Sequence, residues 1–321
     1  PEARVQTEVV ASFAPANCEA PCPSRFLLDF NRWNQQMAVT NPMFSFELFP
    51  PKTEKGTARL HDTVTRLNAH HPAFFSVTYG AGGSTQSNTF ATVDWVRDQG
   101  ISIAPHLSCI GSSRDEILRI LQRYQSQGID RIVALRGDLP SGSGAGSMGD
   151  LNHANELVVL IREHFDDIFR IEVAAYPEMH PQAPNFDKDL ENFKRKVDAG
   201  ADSAITQYFY NADAYANFIE ACEKRGIDIP VVPGIMPITN FSNLVRFSDA
   251  CGAEIPRWLR KRLEAYGDDI ESIRALGTDV VARLCQRLLD MGAPGLHFYT
   301  MNQAEPTLAI WDRLGLDGQN A

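Results

Sequence analysis

The stretch Phe44-Ser-Phe-Glu-Leu-Phe-Pro-Pro-Lys52 decides how the chain is read. Its first five residues are aromatic or apolar except for Ser45 and Glu47, the pattern of a strand with one covered face. Its end excludes one fold. An open, doubly wound sheet places a glycine-rich turn after the first strand to cradle a dinucleotide. Phe49-Pro50-Pro51-Lys52 cannot form that turn. Along a strand, side chains alternate between faces. Phe44, Phe46 and Leu48 share one side, and Ser45 and Glu47 share the other. The bulky set suits packing against helices. Glu47 then points to the opposite side, where burial without a partner favours the protonated acid. Such an acid can deliver a proton. A hydrated or Arg-paired glutamate at a strand end is the plainer alternative.

Outward from this strand the chain keeps a beat. Apolar strands are expected at 43–48, 73–79, 101–106, 130–135, 170–175, 202–207, 230–235 and 295–300, with amphipathic helices between them. Gly100, Gly128, Gly200, Gly226 and Gly292 each stand just before a strand, where they would end the preceding helix. Ser113 and Glu116 form a capping box, and Asn211 and Asp268 are further cap candidates. Eight strands alternating with helices predict a (β/α)8 barrel of the TIM type over residues 41–315. The stretch 241–294 is too long for one helix and should hold two or three, breaking near Pro256 and Gly267. Residues 1–40 read as a weakly structured arm, and 316–321 as a tail.

The net charge of −10 over 321 residues argues against nucleic acid or an anionic membrane as partner. No apolar run approaches the ~20 residues of a spanning helix, and the first residues lack the pattern of a secretory signal. The cysteines are scattered. Cys18 and Cys22 alone are close, and Cys109, Cys222, Cys251 and Cys285 read as small core residues of a cytoplasmic protein.

A barrel gathers its chemistry at the C-terminal ends of its strands. By parity, Ala104 and His106 should face the axis on the third strand. Ala134, Arg136 and Asp138 should do so on the fourth, and Ser203, Ile205 and Gln207 on the sixth. Each residue has a structural alternative. Thr78 could bond backbone, His106 could be a core histidine, and Asp138 could serve a turn or Arg136. Lys194-Arg195-Lys196 could be a solvated face. Gln207 is harder to set aside, because a buried amide needs partners. Glu178 and His180 lack any metal-binding spacing, so no metal is expected. The run Ser141–Gly149 is a flexible connection or a lid, and lacks the residues of a nucleotide-triphosphate loop.

Taken in order, the motifs resemble the methylenetetrahydrofolate reductase family. They are Phe46-Glu47-Leu48-Phe49-Pro50-Pro51, Ser76-Val77-Thr78-Tyr79-Gly80-Ala81, Ala104-Pro105-His106-Leu107, and Ala134-Leu135-Arg136-Gly137-Asp138-Leu139-Pro140. Ala174-Ala175-Tyr176-Pro177-Glu178, Lys194 to Ala201, Ile205-Thr206-Gln207, Pro233-Gly234-Ile235 and His297-Phe298-Tyr299-Thr300 complete the match.

The resemblance implies a barrel enzyme with non-covalent FAD, using NADH or NADPH to reduce 5,10-methylenetetrahydrofolate. It implies Glu47 as general acid and Asp138 as electrostatic partner of flavin and folate. Gln207, Phe247 and Asn243 would contact substrate. Thr78, His106, Arg136, Gly137, Asp138, Ala154, Tyr176, His180, Asp189 and Lys196 would hold FAD. It also implies a homo-oligomer. Asn243 stands where many bacterial members carry Gln, and Gln303 where they carry Arg. With no C-terminal regulatory domain in the sequence, inhibition by S-adenosylmethionine is not expected. Rival readings are another flavin barrel and an inactive barrel kept as a binding subunit.

Overall fold

A computed structural model of the chain describes residues 42–79, 83–137 and 149–316. The expected arm at 1–40, Asp138, the glycine-rich run up to Met148 and most of the tail lie outside the described residues.

The strands are β1 (Met43–Leu48), β2 (Phe74–Val77), β3 (Ile103–Ser108), β4 (Arg131–Leu135), β5 (Arg170–Ala175), β6 (Ser203–Thr206), β7 (Val231–Val232), β8 (Gly234–Ile235) and β9 (Gly295–Tyr299). All are parallel, in the order β7-β6-β5-β4-β3-β2-β1-β9-β8. The helices between them are α1 (Glu54–Asn68), α2 (Gly83–Asp98), α3 (Arg114–Ser126), α4 (Ala154–Phe165), α5 (Phe186–Asp198), α6 (Ala212–Glu223), α7 (Phe241–Cys251), α8 (Arg257–Ala265), α9 (Ile270–Asp290) and α10 (Ala304–Leu314). This is the expected TIM-type barrel, nearly closed.

One expected strand differs. The run 230–235 is two short strands, β7 bonded to β6 and β8 bonded to β9. Pro233 separates them. It has no N–H for a ladder, while its carbonyl accepts from the His297 amide at 2.9 Å. The barrel therefore closes across a broken strand. Gly234 sits at the junction. A Cβ there would lie 2.1 Å from the Thr206 carbonyl oxygen, so no larger residue fits.

Local signals hold in detail. The Ser113 side chain accepts from the Glu116 amide, and Asn211 caps α6. The cap of α9 is Asp269 rather than Asp268, with its carboxylate on the Ser272 amide. The stretch after β8 forms three helices, broken between Gly252 and Pro256 and again around Gly267.

Two apolar layers separate inside from outside. Phe44, Phe46, Leu48, Leu296 and Phe298 belong to the large core between sheet and helices. A small cluster of Phe74, Ala104, Val133 and Ile205 fills the barrel interior. Register links the interior positions laterally. Glu47 aligns with Ser76 and Tyr299, and Val133 aligns with His106 and Glu172.

This overturns the expected parity of β4. Val133 faces the axis, whereas Ala134 packs outward between Leu107 and Val173. Ile132-Val133-Ala134-Leu135 is apolar at every position, so alternation carries no information there. Cys251 also differs. It is half-buried on a cleft wall, while Cys109, Cys222 and Cys285 are buried as expected.

Candidate active site

Glu47 is the fifth of six residues in β1, so it reaches the C-terminal end of the barrel. It is 6% exposed. Its carboxylate lies 3.4 Å from Nε2 of His106, at the matching end of β3, and 3.9 Å from Nε2 of His297 on β9. Among the described residues no Lys or Arg pairs with it. Two imidazoles, both less than 10% exposed, stand beside it instead.

His297 was not among the residues singled out by sequence. It is fully buried, with Nδ1 2.7 Å from Ser45 Oγ and Nε2 3.5 Å from Ser76 Oγ. These contacts fix the ring between the two serines, with Nε2 towards Glu47. The parity that selected Glu47 would have found it. Gly295, His297 and Tyr299 share one face of β9, and register sets His297 beside Ser45 and Tyr299 beside Glu47. The Tyr299 hydroxyl donates to the Thr206 carbonyl at 2.6 Å, which fixes a ring next to the acid. Burial, then the Glu47 charge, push its pKa well above the usual tyrosine value.

His106 Nε2 approaches Glu47 but is misaligned for a hydrogen bond, and is a buried nitrogen without one. Burial pushes its pKa down to about 4, against the raising effect of Glu47 and with a smaller lowering by His297. It is uncharged at neutral pH. In the unfolded chain a histidine takes up its proton near 6.5. Between pH 6.5 and 4 the unfolded state therefore binds more protons, so stability falls as pH falls through that window. The loss expected from this group is about 3 kcal/mol. Urea titrations from pH 7 to 4 should show a steeper decline for the parent than for His106→Asn. Identical slopes would refute it.

The other predicted residues form a second group across the mouth. Tyr176 and Gln207 line one cleft with Glu178, Tyr208 and the segment Cys251–Ala253. The Gln207 amide carbonyl accepts from the Tyr208 amide at 3.0 Å, leaving its NH2 available to a ligand. Tyr176 and His180 meet edge to face at 4.5 Å, and Asp189 accepts from the His180 amide at 2.8 Å. Lys196 donates to the Ala174 carbonyl. Burial pushes its pKa down to about 8, opposed by Asp189.

Arg136 donates to Gln182 at 2.6 Å, and its carbonyl accepts from Ser108 at 2.7 Å. Gly137 follows at φ +88°, where a Cβ would come 1.9 Å from Ser108 Oγ. Only glycine serves there. Thr78 follows β2, its amide bonded to Leu48, and Ala154 opens α4. Asn243 and Phe247 sit on α7, whose Ser248 bonds the Tyr208 hydroxyl at 3.0 Å and whose Cys251 lines the same cleft. Arg246 contacts both, 3.3 Å from the Asn243 side-chain oxygen and 5.2 Å from the Phe247 ring centre.

Residues 32–315 match the family described as methylenetetrahydrofolate reductase. The chain belongs to that family. The "5,10-methylenetetrahydrofolate reductase" of Escherichia coli (strain K12) is 41% identical over 88% of this chain and 95% of its own length. The Zea mays "Methylenetetrahydrofolate reductase (NADH) 1" is 38% identical over 85% of this chain and 48% of its own length. A Clostridium thermocellum protein, described as binding two copies of 5-methyl-5,6,7,8-tetrahydrofolic acid, has the same fold. It has a TM-score of 0.62 at 17% identity, covering 87% of this chain and 98% of that one. This methylenetetrahydrofolate reductase family member has no described helix long and apolar enough to cross a membrane.

Proposed function

We propose that the chain is an FAD-dependent 5,10-methylenetetrahydrofolate reductase that uses NADH or NADPH as donor. The observation that carries this reading is Glu47, a carboxyl group 6% exposed at the barrel mouth with two imidazoles and, among the described residues, no Lys or Arg beside it. As general acid it would pass a proton to a ring nitrogen of a bound folate. Protonation opens the five-membered ring to an iminium ion, which accepts hydride to become the methyl group.

The residues present suit a flavin. His106 Nε2 is a buried nitrogen without a hydrogen bond, and the part-buried Lys196 ammonium, reaching from α5 to the Ala174 carbonyl of β5, would gain from an anion. Thr78, His106, Arg136, Gly137, Asp138, Ala154, Tyr176, His180, Asp189 and Lys196 would hold FAD, with Arg136 and Lys196 opposing diphosphate charge. Bound there, FAD would carry hydride from the reduced nicotinamide to the folate.

The chain's own side chains do the rest. Gln207 hydrogen-bonds the pterin through its free NH2. Phe247 gives an aromatic surface to either substrate, and Asn243 adds a polar contact. Asp138 is assigned by resemblance, and its negative charge favours the substrate cation. His297, held by Ser45, orients the proton donor.

The test is direct. The purified protein should be yellow. Anaerobic reduced nicotinamide should bleach it, and methylenetetrahydrofolate should restore the colour. A colourless protein that gains no spectrum with added FAD would reject the reading. A flavin reoxidised only by a different acceptor would favour another flavin barrel.

A further inference from the structure

The barrel has a second mouth, at the end opposite the candidate active site. A cavity there is walled by Met43, Arg131, Arg170 and Ser203, the first residues of β1, β4, β5 and β6. Phe74 and Ile205, members of the interior cluster, form its inner wall. Glu172 reaches into it from the third position of β5. The space suits one small molecule.

The charges of this cavity do not balance. Arg131 pairs with one oxygen of Glu172, and Ser203 donates to the other. Arg170 has a weaker share of the same carboxylate, with Nε 3.7 Å away. That Nε is a buried nitrogen without a hydrogen bond. Asp202, just before β6, does not help. Its carboxylate is held by Arg162 at 2.6 Å and by the Ile171 amide at 2.6 Å. Among the described residues, Glu172 is the one carboxylate within ion-pair reach of Arg131 or Arg170. Two guanidinium groups therefore face one acid, in a chain whose net charge is −10. Water entering the cavity satisfies the Nε–H but leaves the excess charge uncompensated.

We propose that this mouth binds a small monovalent anion between Arg131 and Arg170, a carboxylate of formate size in preference to a halide. One negative charge makes the cluster neutral. The Nε–H of Arg170 and its neighbouring terminal NH2 form a planar fork that matches both oxygens of a carboxylate, whereas a halide meets the fork at a single point. A dianion such as sulfate would bring a second charge against the apolar wall of Phe74 and Ile205 with no cation to meet it. Because β4 and β5 each supply one guanidinium, the bound anion ties the two strands together. It binds only the folded chain, so it stabilises the barrel by mass action. The site is independent of the flavin and folate reading, whose residues stand at the other end of the strands.

The experiment uses the full chain as purified, with Arg170→Gln as the variant. Arg170 is partly exposed and leaves the Arg131–Glu172 pair intact, so the variant should fold. With sodium formate about tenfold above its Kd, the Tm of the parent should rise about 3 °C more than that of the variant. Sodium sulfate at the same ionic strength should raise both Tm values alike, since its effect is one of exclusion from the surface. Chloride gives a direct view of binding. The 35Cl resonance should broaden with the parent, narrow when formate is added, and broaden less with Arg170→Gln. Equal Tm shifts of parent and variant in formate would overturn the site. So would a sulfate response that separates parent from variant as formate does, or chloride broadening that formate leaves unchanged.

Discussion

On the proposed reading, Glu47→Gln is expected to keep bound FAD and to oxidise reduced nicotinamide at the parent rate, while folate reduction falls about 10³-fold. The two half-reactions differ in one requirement. Hydride leaves a nicotinamide without help from an acid. The folate must be protonated before its ring opens. Gln preserves size and much of the polarity of the site but has no proton to give. Stopped-flow absorbance separates the steps, because flavin colour reports each one. Equal losses in both would mean that Glu47 shapes the binding site rather than supplying the proton. His297→Asn should act through the same step with a smaller effect, since it removes the ring held between Ser45 and Glu47 but not the acid.

Glu172→Ala should cost about 3–5 kcal/mol of stability, the usual penalty for breaking a buried pair from one side. Glu172 faces the same interior as Glu47, but from the third position of β5, near the opposite end. It is paired with Arg131 and lies 3.7 Å from Arg170 Nε, and Ser203 donates to its second oxygen. The Arg131 side chain is only 14% exposed and lies 4.5 Å from the Phe74 ring centre. Removing the carboxylate would strand that guanidinium in the barrel. Urea unfolding at pH 7 measures the effect, and a loss below about 1 kcal/mol would show that water enters and replaces the pair.

Glu47 shows what could be read early: it stands in an apolar strand, and alternation aims it at the axis. Glu172 follows the same rule but was not singled out in the sequence. The beat of strands and helices, the helix caps and the break of the long helical stretch are short-range patterns, so neighbouring residues suffice to reveal them. Where those patterns lose contrast, reading failed. β4 is apolar on both faces, so its inward side could not be told, and Ala134 was placed on the wrong one. The broken strand at Pro233 needed the knowledge that β6 and β9 lie on either side of it.

The barrel, its order and the family were therefore legible from the linear chain, as was the inward direction of Glu47. The charge environment was not. Glu172 meets guanidinium groups from β4 and β5 and becomes a structural ion pair. Glu47 meets His106 from β3 and His297 from β9, some 60 and 250 residues away in sequence, and no Lys or Arg among the described residues. Coulomb interactions and desolvation depend on separation in space. Closing the barrel sets those separations, and so it gives different surroundings to two acids that look alike in the sequence.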